Sequence, residues 1–170
     1  MTAYVALIRA VNVAGRQLKM ADLLGLAKEL KLGSPRTYVA SGNLVFSSSK
    51  SEPALKSALE MAVGNHWGLT VDVLIRTAAE MADTVKRNPF GGEPGNRVAA
   101  IFLDEPPPAD ALDAAKGVAD ERMALGVREI YVHYPSGMGR SKLRVPAAAS
   151  GTARNMNTVT KLAEMAKEIG

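Results

Sequence analysis

The spacing of apolar residues changes several times along the chain, and each change marks an element. From Tyr4 to Val13 apolar residues run almost unbroken and are rich in β-branched types, interrupted only by Arg9 and Asn12. Such a run predicts a central strand buried on both faces. Ala14-Gly15-Arg16-Gln17 reads as a loop, after which Met20, Leu23, Leu24, Ala27 and Leu30 recur at helical spacing and Gly33 stands where a left-handed stop belongs. Two short β-like runs, 36–40 and 44–48, flank Ser41-Gly42-Asn43, whose Gly-Asn pair tolerates positive φ and predicts a hairpin turn. Ser51-Glu52-Pro53 opens a second helix with Leu55, Leu59, Ala62 and Val63 on its apolar face and Gly68 at its end. Val71, Val73 and Ile75 then alternate with Asp72 and Arg76, the period of a half-exposed strand.

Residues 4–76 therefore read β-α-β-β-α-β. Thr77-Ala78-Ala79-Glu80 is a capping box that starts a third helix, and Asn88-Pro89 ends it. An apolar strand over 97–103 follows, then a short alanine-rich helix from Pro106-Pro107-Pro108 to about Val118, then a strand pair over 122–127 and 129–134. Val159, Leu162, Ala163, Ala166 and Ile169 form the clearest amphipathic helix. The second half thus repeats the element order of the first without its last strand. The fold expected is α+β: two ferredoxin-like (βαββαβ-type) subdomains over 1–76 and 77–170, the second lacking its last strand, with antiparallel sheets covered by helices.

Composition adds a bound. A chain of 170 residues, 47% hydrophobic and 22% charged, can bury a full core. It has no cysteine, which excludes disulfides and thiolate metal sites and suits a cytoplasmic location. The first ten residues lack a basic leader and no run of about 18 apolar residues follows, so neither a signal peptide nor a membrane span is expected.

Charge is uneven. The formal total is +4, yet Tyr134 to Lys161 alone carries +5, from Arg140, Lys142, Arg144, Arg154 and Lys161 without an acid, which leaves the rest at −1. A second acid-free stretch, Tyr4 to Ala21, holds Arg9, Arg16 and Lys19. Within the first segment, Gly137 and Gly139 permit close backbone approach, and Arg140, Ser141 and Lys142 follow at once, an arrangement suited to a phosphate or carboxylate. The spacing is not that of a Walker loop, and a tight turn with solvated bases fits equally well. Arg154, Asn155, Asn157 and Thr158 sit at the start of the last helix, where free amides favour an anion, although Asn is also a preferred cap. Arg9, in an apolar strand, calls for a carboxylate partner such as Asp72 or Asp104, or else a ligand shared with Asn12 and Lys19, which Ser41 and Asn43 could join.

Catalytic patterns are sparse. His66 and His133 lack a metal-binding spacing, and no Gly-x-Ser-x-Gly elbow occurs. His133 beside Tyr134 offers a general acid or base, though a structural role is commoner for a strand-end histidine. No metal or cofactor is implied.

Arg9-Ala-Val-Asn12-Val, Lys19-Met20-Ala21-Asp22-Leu23, Arg36-Thr-Tyr38-Val-Ala-Ser41-Gly42-Asn43, His133-Tyr-Pro135, Gly139-Arg140-Ser141-Lys142 and Arg154-Asn155-Met-Asn157-Thr158 resemble, in order and spacing, the uncharacterised bacterial family known as domain of unknown function 1697. The resemblance runs over nearly the whole chain. It implies two ferredoxin-like subdomains and no activity. The chain departs from the family pattern at Ala10 and Ala14, where glycines are usual, and at Met156, where tryptophan is common.

The function expected is binding of a small phosphorylated or carboxylated ligand between the Gly137–Lys142 loop, the start of the last helix and the Arg9–Lys19 segment. The alternatives are weak single-stranded nucleic-acid binding by the same bases, and an enzyme acting on a nucleotide or phosphate substrate. The missing RRM-type aromatic motif counts against RNA recognition on an open sheet.

Overall fold

In the computed structural model, the described residues are 1–9, 12–13, 16–17, 19–39, 42–68 and 70–170, with the backbone alone at 12, 13, 16 and 17. They group into two compact units, Met1–Ala82 with Leu162–Gly170, and Asp83–Lys161. The second unit differs at both ends from the contiguous 77–170 drawn from sequence, because residues 77–82 and the last nine residues group with the first unit.

The first unit contains β1 (Thr2–Ile8), β2 (Asn12–Val13), β3 (Arg16–Gln17), α1 (Met20–Glu29), β4 (Gly33–Thr37), β5 (Asn43–Ser48), α2 (Glu52–Trp67) and β6 (Val73–Thr77), and α3 (Ala78–Lys86) starts in it. Its main sheet has the order β4-β5-β1-β6, antiparallel throughout. The long apolar run thus ends as β1 at Ile8, and Arg16-Gln17, read as loop, pairs with Asn12-Val13.

Cross-strand register sorts the two faces of this sheet. Tyr4, Ala6 and Ile8 lie opposite Phe46, Leu44, Ile75 and Val73, and onto this face α1 packs Leu23 and Ala27 while α2 packs Leu55, Leu59, Val63 and Trp67. Arg76 lies opposite Val5, on the other face, and is only 1% exposed, so β6 is buried rather than half-exposed. Gly170 approaches Ala3, which neighbours Val5 on that face, and Arg36 pairs with Glu168 at 3.4 Å.

Local signals place the helix ends. The Ser51 hydroxyl accepts from the Ala54 N–H, Pro53 lies in the first turn of α2, and Gly68 closes it at φ 69°. The capping box is reciprocal: the Glu80 N–H donates to Thr77 Oγ1 at 3.1 Å, and the Thr77 N–H donates to Glu80 Oε1 at 2.9 Å. The left-handed residue after α1 is Lys31, at φ 58°, not Gly33. Gly33 instead starts β4, where a Cβ would meet Ser47 Oγ at 2.2 Å.

The second unit contains β7 (Val98–Phe102), β8 (Arg122–Leu125), β9 (Glu129–His133) and β10 (Thr152–Asn155), and α4 (Met156–Ile169) begins there. Its antiparallel sheet has the order β10-β7-β9-β8. Two expectations are corrected. The last strand, expected to be missing, is present as β10, which pairs Thr152 to Asn155 with Phe102 to Ala99. The helix expected over 106–118 is an extended connection with one 3-10 turn at Ala111–Ala114. Three prolines at its start, Gly117 near its end and only Leu112 and Val118 as apolar residues larger than alanine leave that segment little face on which a helix could be held.

Both sheets therefore run fourth-first-third-second in chain order. In the second unit, loops cover the sheet instead of helices: Leu112 and Ala115 from 103–121, and Leu143, Val145, Ala147 and Ala148 from 134–151, pack on Ile101, Met123, Leu125, Ile130 and Val132.

Candidate functional site

The segment after β9 turns at Gly137, whose φ of 91° favours glycine, and then makes a single 3-10 turn at Met138–Arg140. Gly139 takes no positive φ, so the two-glycine arrangement expected there is reduced to Gly137. From Ser141 the chain is extended and is stapled to the 103–121 connection by an antiparallel bridge between Lys116 and Arg144, with both N–H···O bonds at 2.8 Å. Gly117 makes this possible: its φ is 69°, and a Cβ there would meet the Lys142 carbonyl oxygen at 2.3 Å.

These two connections enclose a cleft of about 530 Å³ lined by Gly117, Asp120, Glu121, Tyr134, Ser136 and Gly137, with Arg140, Ser141 and Lys142. The +5 segment is acid-free along the chain but not in space, since the other connection brings Asp120 and Glu121 to the same cleft.

The two kinds of charge are engaged differently. Ser136 donates its hydroxyl to Asp120 at 2.5 Å, while Glu121 accepts from the Ala119 N–H at 3.1 Å and from the Ser141 hydroxyl at 3.3 Å. Among the described residues, no ion pair is found for Lys116, Arg140, Lys142 or Arg144. Lys116 and Arg144 lie directly opposite one another, a like-charge placement that costs stability on its own. Burial, and then the Glu121 carboxylate, push the Tyr134 phenol above its ordinary value, so it stands in the cleft wall as a hydrogen-bond donor.

The remaining candidates are placed elsewhere or committed to structure. Asn155 caps α4: its Oδ1 accepts from the Thr158 N–H at 2.9 Å. Asn157 is exposed and close to Gly95, where a Cβ would meet its Oδ1 at 2.1 Å. Arg154 is 9% exposed and donates to Thr152 Oγ1 at 2.8 Å and to the Ala153 carbonyl at 3.0 Å. Burial pushes its guanidinium down to about 10, so it stays charged at neutral pH. None of these four lines the cleft.

In the first unit, Arg9 takes the carboxylate partner considered from sequence, pairing with Asp72 at 3.3 Å while its N–H bonds the Asp72 carbonyl at 2.9 Å. Lys19 is the exposed residue before α1, and its carbonyl accepts from the Leu23 N–H. Asn43 is fully buried and donates through Nδ2 to the Tyr38 carbonyl at 3.0 Å, a hairpin role. Ser41 and the side chain of Asn12 lie outside the described residues.

His133 is also committed. It is 5% exposed, its Nδ1 lies 3.1 Å from Arg122 Nη2, and its Nε2 lies 3.5 Å from Glu93 Oε2. A guanidinium can only donate, so Nδ1 is the acceptor and the ring proton sits on Nε2, toward Glu93. The ring lies 5.8 Å from that of Phe90, over which Arg122 stacks at 5.3 Å. The residue that reaches the cleft is Tyr134.

Sequence reasoning missed Gly117, Asp120, Glu121 and Ser136. The one available signal was Gly117, a glycine inside the segment read as a helix to about Val118, where it marks a point of close backbone approach instead.

The family described as "Protein of unknown function (DUF1697)" matches residues 1–131. The chain belongs to this family. The DUF1697 match covers all of the first unit's strands and ends before the cleft loop. Conserved bacterial protein SP0830 from Streptococcus pneumoniae is similar in structure to the DUF1697 chain, with a TM-score of 0.80 and 24% identity over 98% of this chain and 99% of that one. That likeness bears on the α+β fold alone. No curated protein matches the DUF1697 chain. Among its described residues, no helix is long and apolar enough to cross a membrane, and no group of three or more His, Cys, Asp or Glu could hold a metal ion.

Proposed function

We propose that the protein binds a small anionic ligand, phosphorylated or carboxylated, in the cleft of the second unit, with Arg140 and Lys142 as the groups that meet the acid. One observation carries this reading: the cleft's carboxylates are already engaged by protein donors, whereas its bases are not. An incoming oxyanion therefore finds free charged donors without having to break an ion pair, and charge-assisted hydrogen bonds are the strong ones. Asp120 and Glu121 favour a ligand that carries hydroxyl or amine donors beside its acid. The site is confined to the second unit, and neither Arg9 nor Lys19 is part of it. We read both units as ferredoxin-like variants and place the protein in the cytoplasm, where its lack of cysteine is no handicap.

The test is a thermal-shift and calorimetric series with phosphate, sugar phosphates, nucleotides and small carboxylates. A ligand at a hundred times its Kd stabilises by about 2.7 kcal/mol, and Arg140→Ala with Lys142→Ala removes that gain. No stabilisation by any anion at millimolar concentration overturns the proposal. Binding of single-stranded nucleic acid alone, with affinity falling steeply as salt rises, replaces it with the nucleic-acid reading.

A further inference from the structure

We infer that the ligand of this cleft is a two-part molecule, an acidic group joined to an apolar or aromatic body, with Tyr134 standing between the places where the two parts bind. The inference rests on the anion-binding proposal and adds the nature of the rest of the ligand. A second cleft of about 510 Å³ is lined by Ile101, Leu143, Val145 and Ala148, with Pro146, Ala149 and Arg144 at it, and it shares Tyr134 with the first. Each volume falls in the range of small-molecule sites.

The two clefts are consecutive along the same extended segment. Ser141 and Lys142 line the polar one, and Leu143 to Val145 line the apolar one. A ligand crossing Tyr134 from one to the other therefore leaves charged side chains and meets mostly aliphatic ones, with polar atoms interspersed among them. That wall is firm: Ile101, Tyr134, Leu143 and Ala148 pack on the unit's hydrophobic core, so they are half-buried and held in place rather than loose on the surface. The charge matches too, since among the described residues Arg144, at the second cleft, is a third base without an ion pair and no acid lines that cleft. An acidic ligand with an apolar body meets Arg140 and Lys142 in the first cleft and aliphatic side chains in the second, while Asp120 and Glu121 of the first cleft are already held by protein donors. The ring of Tyr134 offers the body a face, and its phenol offers the acid a donor.

An NMR titration of methyl-labelled full-length protein separates the two readings, using inorganic phosphate, phenyl phosphate and phenol as probes. Phosphate is expected to shift the amides of Ser141 and Lys142 only. Phenyl phosphate is expected to shift these together with the methyls of Ile101 and Leu143, and to bind roughly tenfold tighter, as burial of about 55 Å² of apolar surface provides. Ala149→Trp, which fills the apolar cleft from an exposed position, is expected to abolish the tenfold gain and leave phosphate affinity unchanged. If phenyl phosphate binds no tighter than phosphate, or leaves Ile101 and Leu143 unmoved, the inference is overturned and the anion proposal stands. If phenol alone binds as tightly as phenyl phosphate, the apolar cleft acts by itself and the inference is likewise overturned. If neither phosphate compound moves the Ser141 and Lys142 amides, the anion proposal fails and takes the inference with it. The wild-type methyl shifts decide the matter should the variant fold poorly.

Discussion

In the first unit the chain passes from β1 to β4 and from β5 to β6 by way of α1 and α2, whereas in the second the corresponding passages, 103–121 and 134–151, are extended segments with one 3-10 turn in the former and two in the latter. The strand order is the same in both sheets. Each fourth strand also carries a buried arginine, Arg76 opposite Val5 of β1 and Arg154 opposite Ala100 of β7, on the face away from these passages. The difference lies in how a covering segment satisfies its backbone. A helix pairs its own N–H and C=O groups and presents a continuous apolar face, so it seals the sheet beneath it. An extended connection must find backbone partners one at a time, as Lys116 and Arg144 do, and between such points it leaves polar side chains and room. The clefts at Tyr134 are a result of that second kind of cover.

The largest expected effects test the two covers directly. Leu59→Ala, in the helix cover and fully buried, should cost about 2–5 kcal/mol in chemical denaturation. Leu112→Ala, half-buried in the loop cover, should cost about 1 kcal/mol. Equal costs would mean that the loops pack as tightly as the helices, and the contrast would be lost.

A matched pair of glycines comes next. Gly68 and Gly117 share a φ of 69°, but only Gly117 has a carbonyl in the way of a Cβ. Gly68→Ala should cost about 1–2 kcal/mol from backbone strain, and Gly117→Ala at least about 1 kcal/mol more from the clash with Lys142. Indistinguishable midpoints would show that the Lys116–Arg144 staple gives way readily.

A third measurement concerns the face of the second sheet away from the loops. Burial, and then the Glu129 carboxylate, hold the Tyr131 phenol well above its ordinary value, and its hydroxyl donates to the Thr84 carbonyl at 2.6 Å. The unfolded phenol ionises near pH 10 while the folded one keeps its proton, so the unfolded state binds fewer protons and stability falls as pH rises above about 10. Tyr131→Phe should flatten that decline and cost about 1 kcal/mol at neutral pH for the lost hydrogen bond. An unchanged alkaline slope would assign the decline to other groups.

The smallest effect is expected at the exposed ion pair of the first unit, whose arginine and aspartate side chains are 37% and 54% exposed. Arg9→Ala should change stability by about 0.2–1 kcal/mol and leave phosphate binding untouched, whereas Arg140→Ala should leave stability almost unchanged and weaken phosphate binding. Loss of phosphate binding in Arg9→Ala would break the assignment of the site to the second unit.

Much of the fold was legible because the signals are short-range. The Thr77–Glu80 box, the Ser51 cap and Gly68 stop of α2, and the Val159, Leu162, Ala163, Ala166 face of α4 each act within a few residues, and each is found as read. β10 was illegible because its four residues, Thr-Ala-Arg-Asn, show no apolar alternation; a threonine and an arginine are the ones buried. The candidate site was half legible. Arg140, Ser141 and Lys142 were named from their charge and their glycine neighbours, but Arg154, Asn155, Asn157 and Thr158, close to them in sequence, do not line the cleft.

By itself the sequence determined the α+β class, both ends of α2, the start of α3, the β4–β5 and β8–β9 pairs and the family, because periodicity and capping are decided over one or two turns of chain. Only the tertiary structure decided that a run without acids would face Asp120 and Glu121, that Gly117 would carry the close approach, and that two loops would leave room beside Tyr134. Those outcomes depend on which distant segments meet across a sheet, and that is set by register and packing between residues some twenty positions apart, for which the local pattern has no signal.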